Sequence, residues 1–171
     1  MAMKADHYPA LMAALRRRPA LAAAVRLLNR LLPFAAYLLY PLGAVWLLVQ
    51  RDPRLVRFIL VPGVVFVLGT AVRRAFHAPR PYQLADYEPL VHRGKTDDSF
   101  PSRHVFSASV IAAAFWYVCP PLGLLLTVSA LLLAPVRVLA GVHFPRDVLA
   151  GLVFGFGAGW LGCFVLLPNL P

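Results

Sequence analysis

Two histidines, one aspartate and several arginines are the residues of this sequence best suited to chemistry, and they fall into three short motifs. The motifs run from Arg73 to Pro81, from Ser99 to His104 and from Arg137 to Asp147. Imidazole acts as a nucleophile or proton donor near neutral pH, and guanidinium groups bind pairs of phosphoryl oxygens. The combination suits phosphoryl transfer, in which negative charge must be stabilised on the transferred group.

The first motif holds Arg80 between two prolines, Pro79 and Pro81. The proline rings stiffen the backbone in an extended form, so the guanidinium of Arg80 is expected to be held firmly enough for bidentate phosphate binding. Arg73 and Arg74, taken alone, favour an interfacial membrane anchor, because they lie at the end of an apolar run.

The second motif predicts the start of a helix, because Pro101 and Ser102 are typical of a helix N-terminus. The free amides of a first helical turn and the positive end of the helix dipole together bind anions. His104 would lie in that turn and face the bound anion. The alternative is a capped helix with an interfacial histidine.

The third motif predicts a turn between two helices. Gly141 can end one helix and a proline can begin the next, which leaves His143 on the turn and Asp147 in the following first helical turn. An aspartate that accepts a hydrogen bond from one imidazole nitrogen leaves the other nitrogen free as nucleophile or base. Alternatively, Asp147 neutralises Arg146 or Arg137.

A metal site is not expected, because hydrolytic divalent metals need clustered carboxylates at a recognisable spacing. The two cysteines, Cys119 and Cys163, lie in apolar stretches and have no zinc-ligand spacing. The acids between the first two motifs and the other three histidines are expected to be solvated charges; they are Asp86, Glu88, Asp97, Asp98, His7, His77 and His92.

Taken together, the three motifs resemble the signature of the type-2 phosphatidic acid phosphatase superfamily, K-x6-R-P, P-S-G-H and S-R-x5-H-x3-D. In this sequence they read Arg73-x6-Arg80-Pro81, Pro101-Ser102-Arg103-His104 and Arg137-x5-His143-x3-Asp147. The resemblance covers about residues 55–167. Arginine replaces lysine at 73, arginine replaces glycine at 103, and Val136 replaces a serine whose hydrogen bond is therefore missing.

The resemblance implies a metal-independent and cofactor-independent lipid phosphatase that works through a phosphohistidine. By this analogy His143 is the nucleophile, Asp147 orients it, and His104 is the acid for the leaving group and then the base for water. The implied phosphate-binding residues are Arg73, Arg80, Ser102 and Arg137, with the backbone amide at Arg103 and possible further contacts of its side chain.

The composition predicts that these motifs are positioned by membrane-spanning helices. Hydrophobic residues make up 60% of the 171 residues and charged residues only 14%, whereas soluble domains have roughly 25% charged residues. About 20 apolar residues cross a bilayer, and five charge-poor runs have close to this length. The sequence therefore predicts an all-α integral membrane bundle with spans at about 31–50, 55–72, 103–119, 122–140 and 146–167.

The first thirty residues predict a basic amphipathic helix, or a pair of them, at the membrane surface, because arginines alternate with leucines at helical spacing. We accordingly divide the chain into an N-terminal basic segment, 1–30, and a transmembrane phosphatase domain, 31–171. If the segment from Pro19 inserted as an extra span, the bundle would have six spans, but Arg26 and Arg30 make such insertion costly.

The net charge of +10 would suggest nucleic acid in a polar protein, but in this apolar chain it indicates lipid phosphates and the membrane surface. Five spans place the N-terminus on the side of the motifs, and its six basic residues favour a cytoplasmic site. The resemblance implies the outer face of the plasma membrane, and this is the location we expect.

The expected substrate is a lipid phosphomonoester or diphosphate, with undecaprenyl diphosphate, phosphatidic acid and phosphatidylglycerol phosphate as candidates. A vanadate-haloperoxidase-like enzyme is one alternative, although those relatives are soluble proteins. A non-catalytic membrane scaffold or transporter is the other, and it leaves the matching spacing of the three motifs unexplained.

Overall fold

The structure is a computed structural model that describes residues 4–91 and 98–166. Within these ranges the protein is helical and has no β-strand. A short 3-10 turn (Ala5–His7) precedes the first helix, and the last helix continues as a π-helical turn (Leu161–Val165). The helices are α1 (Tyr8–Arg16), α2 (Pro19–Val49), α3 (Leu55–Phe76), α4 (Pro81–Leu84), α5 (Arg103–Val118), α6 (Pro120–Leu139) and α7 (Pro145–Trp160).

Among residues 4–91 and 98–166, four segments are long and apolar enough to cross a membrane, namely Pro19–Val49, Leu55–Leu84, Pro120–Leu139 and Pro145–Val165. The remaining predicted span, 103–119, is α5, whose 16 residues extend over only about 24 Å. Large apolar side chains face outward on the long helices, as at Val67 and Val153, which are 66% and 75% exposed. Such surfaces require a lipid environment, so the predicted all-α, multi-pass membrane bundle is confirmed.

Helix α5 is the centre of the bundle. Twelve of its 16 residues are buried, and it packs against α2, α3, α6 and α7. It ends at Val118 and α6 begins at Pro120, and proline fits the first turn of a helix because its missing amide is not needed there. A short α5 enclosed by longer helices places its N-terminal turn inside the protein.

Close approach of α7 to α5 depends on small residues of α7. Gly151, Gly155 and Gly159 are buried one turn apart on one face. A Cβ atom at Gly155 would lie 2.5 Å from the backbone oxygen of Phe106, a distance that real side chains do not adopt. Small residues at this spacing let membrane helices approach closely, and here they bring the first turns of α5 and α7 side by side.

The N-terminal segment differs from the expected surface helix. Residues 19–30 are not a separate element, because they form the first turns of α2, whose 31 residues extend over about 46 Å against a hydrocarbon core of about 30 Å. The predicted division between residues 30 and 31 therefore falls inside a continuous helix, and within the described ranges residues 19–30 make no extra span.

Helix α1 is amphipathic, as predicted, but its apolar face packs on protein. Its buried residues are Tyr8, Met12 and Leu15, which share one helical face. Tyr8 packs edge-on against Phe144, with ring centroids 5.8 Å apart. The N-terminal helix thus covers the turn that carries His143.

Candidate active site

The three motifs lie at one end of the bundle, as the sequence predicts. The backbone amide of Ser102 donates to the backbone oxygen of Asp147 at 2.9 Å. The amide of Leu90 donates to the oxygen of Ala140 at 3.0 Å. These bonds fix the first turn of α5 and the segment after α4 against the turn between α6 and α7.

His143 and Asp147 are linked through Ser99. All three side chains are buried. The Ser99 hydroxyl donates to Asp147 Oδ2 at 2.5 Å and lies 3.2 Å from His143 Nδ1. The direct distance from His143 Nδ1 to Asp147 Oδ2 is 3.7 Å, which is too long for a hydrogen bond. The contact between histidine and aspartate that the sequence predicts is therefore made through a serine.

This geometry selects one histidine tautomer. A serine hydroxyl has a single proton, and Ser99 gives it to Asp147, so the hydroxyl oxygen must accept the proton of His143 Nδ1. In the neutral ring the other nitrogen, Nε2, then carries the lone pair. His143 is consequently in the form that a nitrogen nucleophile requires.

Asp147 is held by two further groups. The backbone amide of Phe144 donates to Oδ2 at 2.9 Å, as expected for an acidic side chain in the first turn of a helix. Arg146 Nε lies 3.6 Å from Oδ1, so the ion pair considered from the sequence is also present. The guanidinium of Arg146 is exposed. Because this ion pair uses Oδ1, it does not compete with the hydrogen bond from Ser99 to Oδ2.

Gly141 ends α6 with a left-handed backbone, φ 77°, as its position in the third motif predicts. This conformation strains residues that have a Cβ atom. It turns the chain so that the carbonyl of Gly141 points toward Tyr87 and that of His143 toward Tyr8. The Tyr87 hydroxyl donates to Gly141 O and the Tyr8 hydroxyl to His143 O, both at 2.8 Å. Burial raises the pKa of Tyr8 and of Tyr87, so both hydroxyls remain proton donors.

Two of the predicted phosphate ligands, Arg80 and Arg137, are almost fully buried beside this turn. Arg80 has the extended backbone expected between prolines, and its NH1 donates to Val142 O at 3.2 Å. Arg137 NH1 donates to Asn29 Oδ1 at 2.7 Å. A buried guanidinium is tolerated only with hydrogen-bonding partners, and a carbonyl oxygen and an amide oxygen are among the partners here.

Arg73 is buried rather than exposed at the interface as an anchor would be. It donates to the backbone oxygens of Pro101 at 2.5 Å and of Ser99 at 3.4 Å, and also to that of Asp98. These bonds hold the loop that carries Ser99 and Ser102.

Ser102 occupies the N-cap position of α5, but its side chain makes no capping hydrogen bond. Its Oγ is buried and has no hydrogen-bond partner among the residues that the structure describes. A buried polar group of this kind is unusual in a native protein, and it lies at a helix N-terminus, where anions bind favourably.

His104 lies in the first turn of α5, as predicted, and borders two cavities that also share Tyr37. The apolar cavity, of about 520 Å³, lies between α2, α3 and α5. The basic cavity, of about 600 Å³, lies between α2 and the segment after α4. Side chains that line the apolar cavity include Tyr40, Pro62, Phe66, Arg103 and Val110, and those that line the basic cavity include Arg26, Asn29, Arg30, Phe34 and Leu90.

Sequence reasoning missed Ser99, Asn29 and Tyr8. A polar residue on the otherwise apolar helical face of Val25 was the available signal for Asn29, because a buried amide needs a partner. For Ser99 the only signal was its position three residues before Ser102.

The residues predicted to be loop charges have mixed roles. Glu88 accepts from Arg16 at 3.1 Å in an exposed pair, and Asp98 lies 3.7 Å from the His77 ring. His92 and Asp97 lie outside the described residues. Over 4–91 and 98–166, no three histidine, cysteine or acidic side chains gather in a group that could hold a metal ion.

Solved structures that share this fold include two membrane phosphatases. A transmembrane PAP2 type phosphatidylglycerolphosphate phosphatase from Bacillus subtilis superposes with a TM-score of 0.69 and 28% identity, covering 90% of this chain and 81% of its own. LpxE from Aquifex aeolicus superposes with a TM-score of 0.71 and 26% identity, covering 95% of each chain.

Curated relatives include enzymes with named lipid phosphate activities. The lipid A 1-phosphatase of Rhizobium etli is 34% identical over 103 residues, which are 57% of this chain and 43% of the relative. The undecaprenyl-diphosphatase of Sulfolobus acidocaldarius is 29% identical over 121 residues, 70% of this chain and 59% of the relative. The matches therefore cover about half the length of these relatives.

The PAP2 superfamily sequence model matches residues 54–169, a range that includes α3 to α7 and all three motifs. The fold, the order of the motifs and the buried histidine and arginine cluster agree with this match. The chain belongs to the PAP2 superfamily.

Proposed function

We propose that this protein is an integral membrane lipid phosphatase that hydrolyses a lipid phosphomonoester or diphosphate through a phosphohistidine on His143. The observation that carries the proposal is the chain from His143 Nδ1 through Ser99 to Asp147, which leaves Nε2 as the nucleophile next to buried arginines. Undecaprenyl diphosphate, phosphatidic acid and phosphatidylglycerol phosphate remain the candidate substrates.

In the first step His143 Nε2 attacks phosphorus, the nitrogen–phosphorus bond forms, and the bond from phosphorus to the lipid oxygen breaks. Protonated His104 gives its proton to the departing oxygen. The positive charge that develops on the His143 ring is stabilised by the hydrogen bond from Nδ1 to Ser99, whose own proton is directed at Asp147.

In the second step neutral His104 accepts a proton from water, and the resulting hydroxide attacks phosphorus. The nitrogen–phosphorus bond breaks, inorganic phosphate leaves, and His143 regains its lone pair. The proton taken from water restores protonated His104 for the next turnover, so the cycle consumes one water and needs no other reactant.

The phosphoryl oxygens would be bound by Arg80, Arg137, the free Ser102 hydroxyl and the backbone amide at Arg103. Donors that are already in place before the reaction stabilise developing charge without reorganisation. Arg73 contributes by holding the loop of Ser99 and Ser102 through backbone oxygens.

The apolar cavity supports a lipid substrate. It leads from His104 into the membrane-spanning part of the bundle between α2, α3 and α5, so an acyl or prenyl chain can lie there while the headgroup reaches the site. Arg103 lines this cavity near His104, where its side chain can contact the headgroup.

The proposed location is the plasma membrane, with the site on the outer face. Basic N-terminal residues normally favour the cytoplasm, but here Arg16 binds Glu88 and Arg26 and Arg30 line a cavity beside the site. Because these charges have a use within the protein, their number is a weak guide to orientation.

The test is phosphate release by the purified protein in detergent across a panel of lipid phosphates and diphosphates, with EDTA present throughout. We expect turnover with EDTA and an acid-labile, base-stable phosphoenzyme when labelled substrate is quenched. His143→Ala and His104→Ala should each lose most turnover while remaining folded. Loss of activity on chelation would contradict the metal-independent mechanism, and near-normal turnover in His143→Ala would favour a scaffold or transporter.

A further inference from the structure

The basic cavity contains two arginines that the reaction described above does not use. Arg26 and Arg30 lie one turn apart on α2, and both line the cavity, as does Asn29. We propose that these two arginines bind a second phosphoryl group on the leaving-group side of His104, so that the preferred substrates are lipid diphosphates. This inference rests on the proposed function and deepens it.

The charges of these arginines are available to a ligand. Within residues 4–91 and 98–166, neither guanidinium forms a hydrogen bond or an ion pair with a protein group. By contrast, Arg16 of the same N-terminal segment binds both the carboxylate and the backbone oxygen of Glu88. Two unneutralised guanidinium groups on one cavity wall attract a dianion such as a phosphate monoester.

The cavity also has the right position relative to the reacting phosphorus. His104 borders it, and His104 is the group that protonates the departing oxygen. Asn29, on the same wall, accepts a hydrogen bond from Arg137 at 2.7 Å. The cavity that contains Arg26 and Arg30 is therefore bordered both by a residue that contacts Arg137, a proposed phosphate ligand, and by His104, where the leaving group departs.

A diphosphate fits this arrangement with its terminal phosphorus at His143. The bond from this phosphorus to the bridging oxygen breaks, His104 protonates that oxygen, and the departing group is a lipid monophosphate. Arg26 and Arg30 would bind the phosphate of that departing group. A lipid monophosphate has no second phosphoryl group, so its leaving group would make no contact with the two arginines.

The subsite lies outside the part of the chain that defines the family. Residues 54–169 match the family model, whereas Arg26 and Arg30 precede that range. The proposed subsite is therefore a feature that the N-terminal segment adds to the phosphate site shared by the family.

Arg26 and Arg30 are exposed as well as lining the cavity. The phosphate of a bilayer phospholipid headgroup can therefore reach them too. The experiment must separate a substrate phosphate from a headgroup. Farnesyl diphosphate and farnesyl phosphate have the same tail and differ only in the second phosphoryl group, and a non-ionic detergent contains no phosphate.

The experiment compares kcat/KM for these two substrates in the full-length protein, in non-ionic detergent and in vesicles with and without anionic lipid. The test variant is Arg26→Gln with Arg30→Gln. The matched control is Arg17→Gln with Arg18→Gln, which removes the same charge from exposed residues of the same segment.

We expect the test variant to lose about tenfold or more in kcat/KM for the diphosphate in detergent, since charge-assisted hydrogen bonds are the strong ones. Its kcat/KM for the monophosphate should stay within about twofold of wild type, which also reports correct folding. The control should change neither value by more than about twofold. Inorganic pyrophosphate should inhibit wild type more strongly than inorganic phosphate does, and the test variant should lose this difference.

Equal losses on both substrates, or an unchanged ratio between them, would overturn the subsite. A loss confined to anionic vesicles would assign the two arginines to headgroup binding and would also overturn it. Wild-type turnover of the monophosphate alone would reject the subsite and leave the phosphatase function intact. Absence of phosphate release from either substrate would instead contradict the proposed function itself.

Discussion

Ser99 donates a 2.5 Å hydrogen bond to Asp147 Oδ2 and thereby separates the aspartate from the histidine that it was expected to bind. The serine comes from the loop before α5, whereas His143 and Asp147 flank the start of α7. The orientation of the proposed nucleophile thus depends on the packing of two helices. It also depends on Arg73, which holds the serine's loop through backbone oxygens.

Ser99→Ala should lower kcat by roughly 10- to 100-fold with little change in KM, because a hydrogen bond to a charged group contributes about 1.5–3 kcal/mol and each 1.36 kcal/mol is tenfold in rate. The loss should fall on phosphoenzyme formation, measured by rapid quench. Ser109→Ala removes another buried hydroxyl, one with no partner among the described residues, and should retain wild-type kcat. Equal kcat values in the two variants would refute the role of Ser99.

Asn29 positions Arg137 without neutralising it, so replacement by a carboxylate should be worse than removal of the amide. Asn29→Ala should reduce kcat/KM several-fold, and Asn29→Asp should reduce it at least about tenfold further, because an ion pair would compete with phosphate for the guanidinium. Inhibition by inorganic phosphate should weaken in the same order. A more active Asn29→Asp than Asn29→Ala would show that the charge of Arg137 is not used.

Gly155→Ala should destabilise the protein and reduce its activity, whereas Gly157→Ala should do neither. A Cβ at Gly155 meets Phe106 O at 2.5 Å, and one at Gly157 has nothing within 4 Å. Overpacking of a helix interface costs typically about 1–3 kcal/mol, and here it would also move Ser102 away from Asp147. Thermal unfolding in detergent and kcat/KM measure the two effects. Equal unfolding temperatures of the two variants would contradict close packing of α5 and α7 at Gly155.

Sidedness can be measured with single cysteines at opposite ends of the bundle. In a background with Cys119→Ala and Cys163→Ala, which removes both native cysteines, Arg17→Cys should react with an impermeant maleimide on intact spheroplasts. Gln50→Cys, which is exposed in the turn between α2 and α3, should react only after permeabilisation. The opposite pattern would place the site in the cytoplasm, in agreement with the positive-inside tendency.

Much of this protein could be predicted from its sequence because the relevant signals are local. Apolar runs give the helices, and Pro120 marks the break between α5 and α6. Gly141 marks the end of α6. The motif spacing places His104, His143 and Asp147 at helix starts or turns on one side of the bundle, since an apolar helical hairpin must return the chain to the side where it began. Each inference requires only the neighbouring residues and the thickness of a bilayer.

The contacts that complete the site join residues 48, 108 and 135 positions apart, namely Ser99 with Asp147, Asn29 with Arg137, and Tyr8 with His143. No local pattern specifies such pairs, because they form only when α7 packs closely on α5 and when α1 folds over the His143 turn. The sequence by itself determined which residues could transfer a phosphoryl group and that they lie at the membrane surface. Only the tertiary packing decided that a serine, rather than the aspartate directly, holds the histidine.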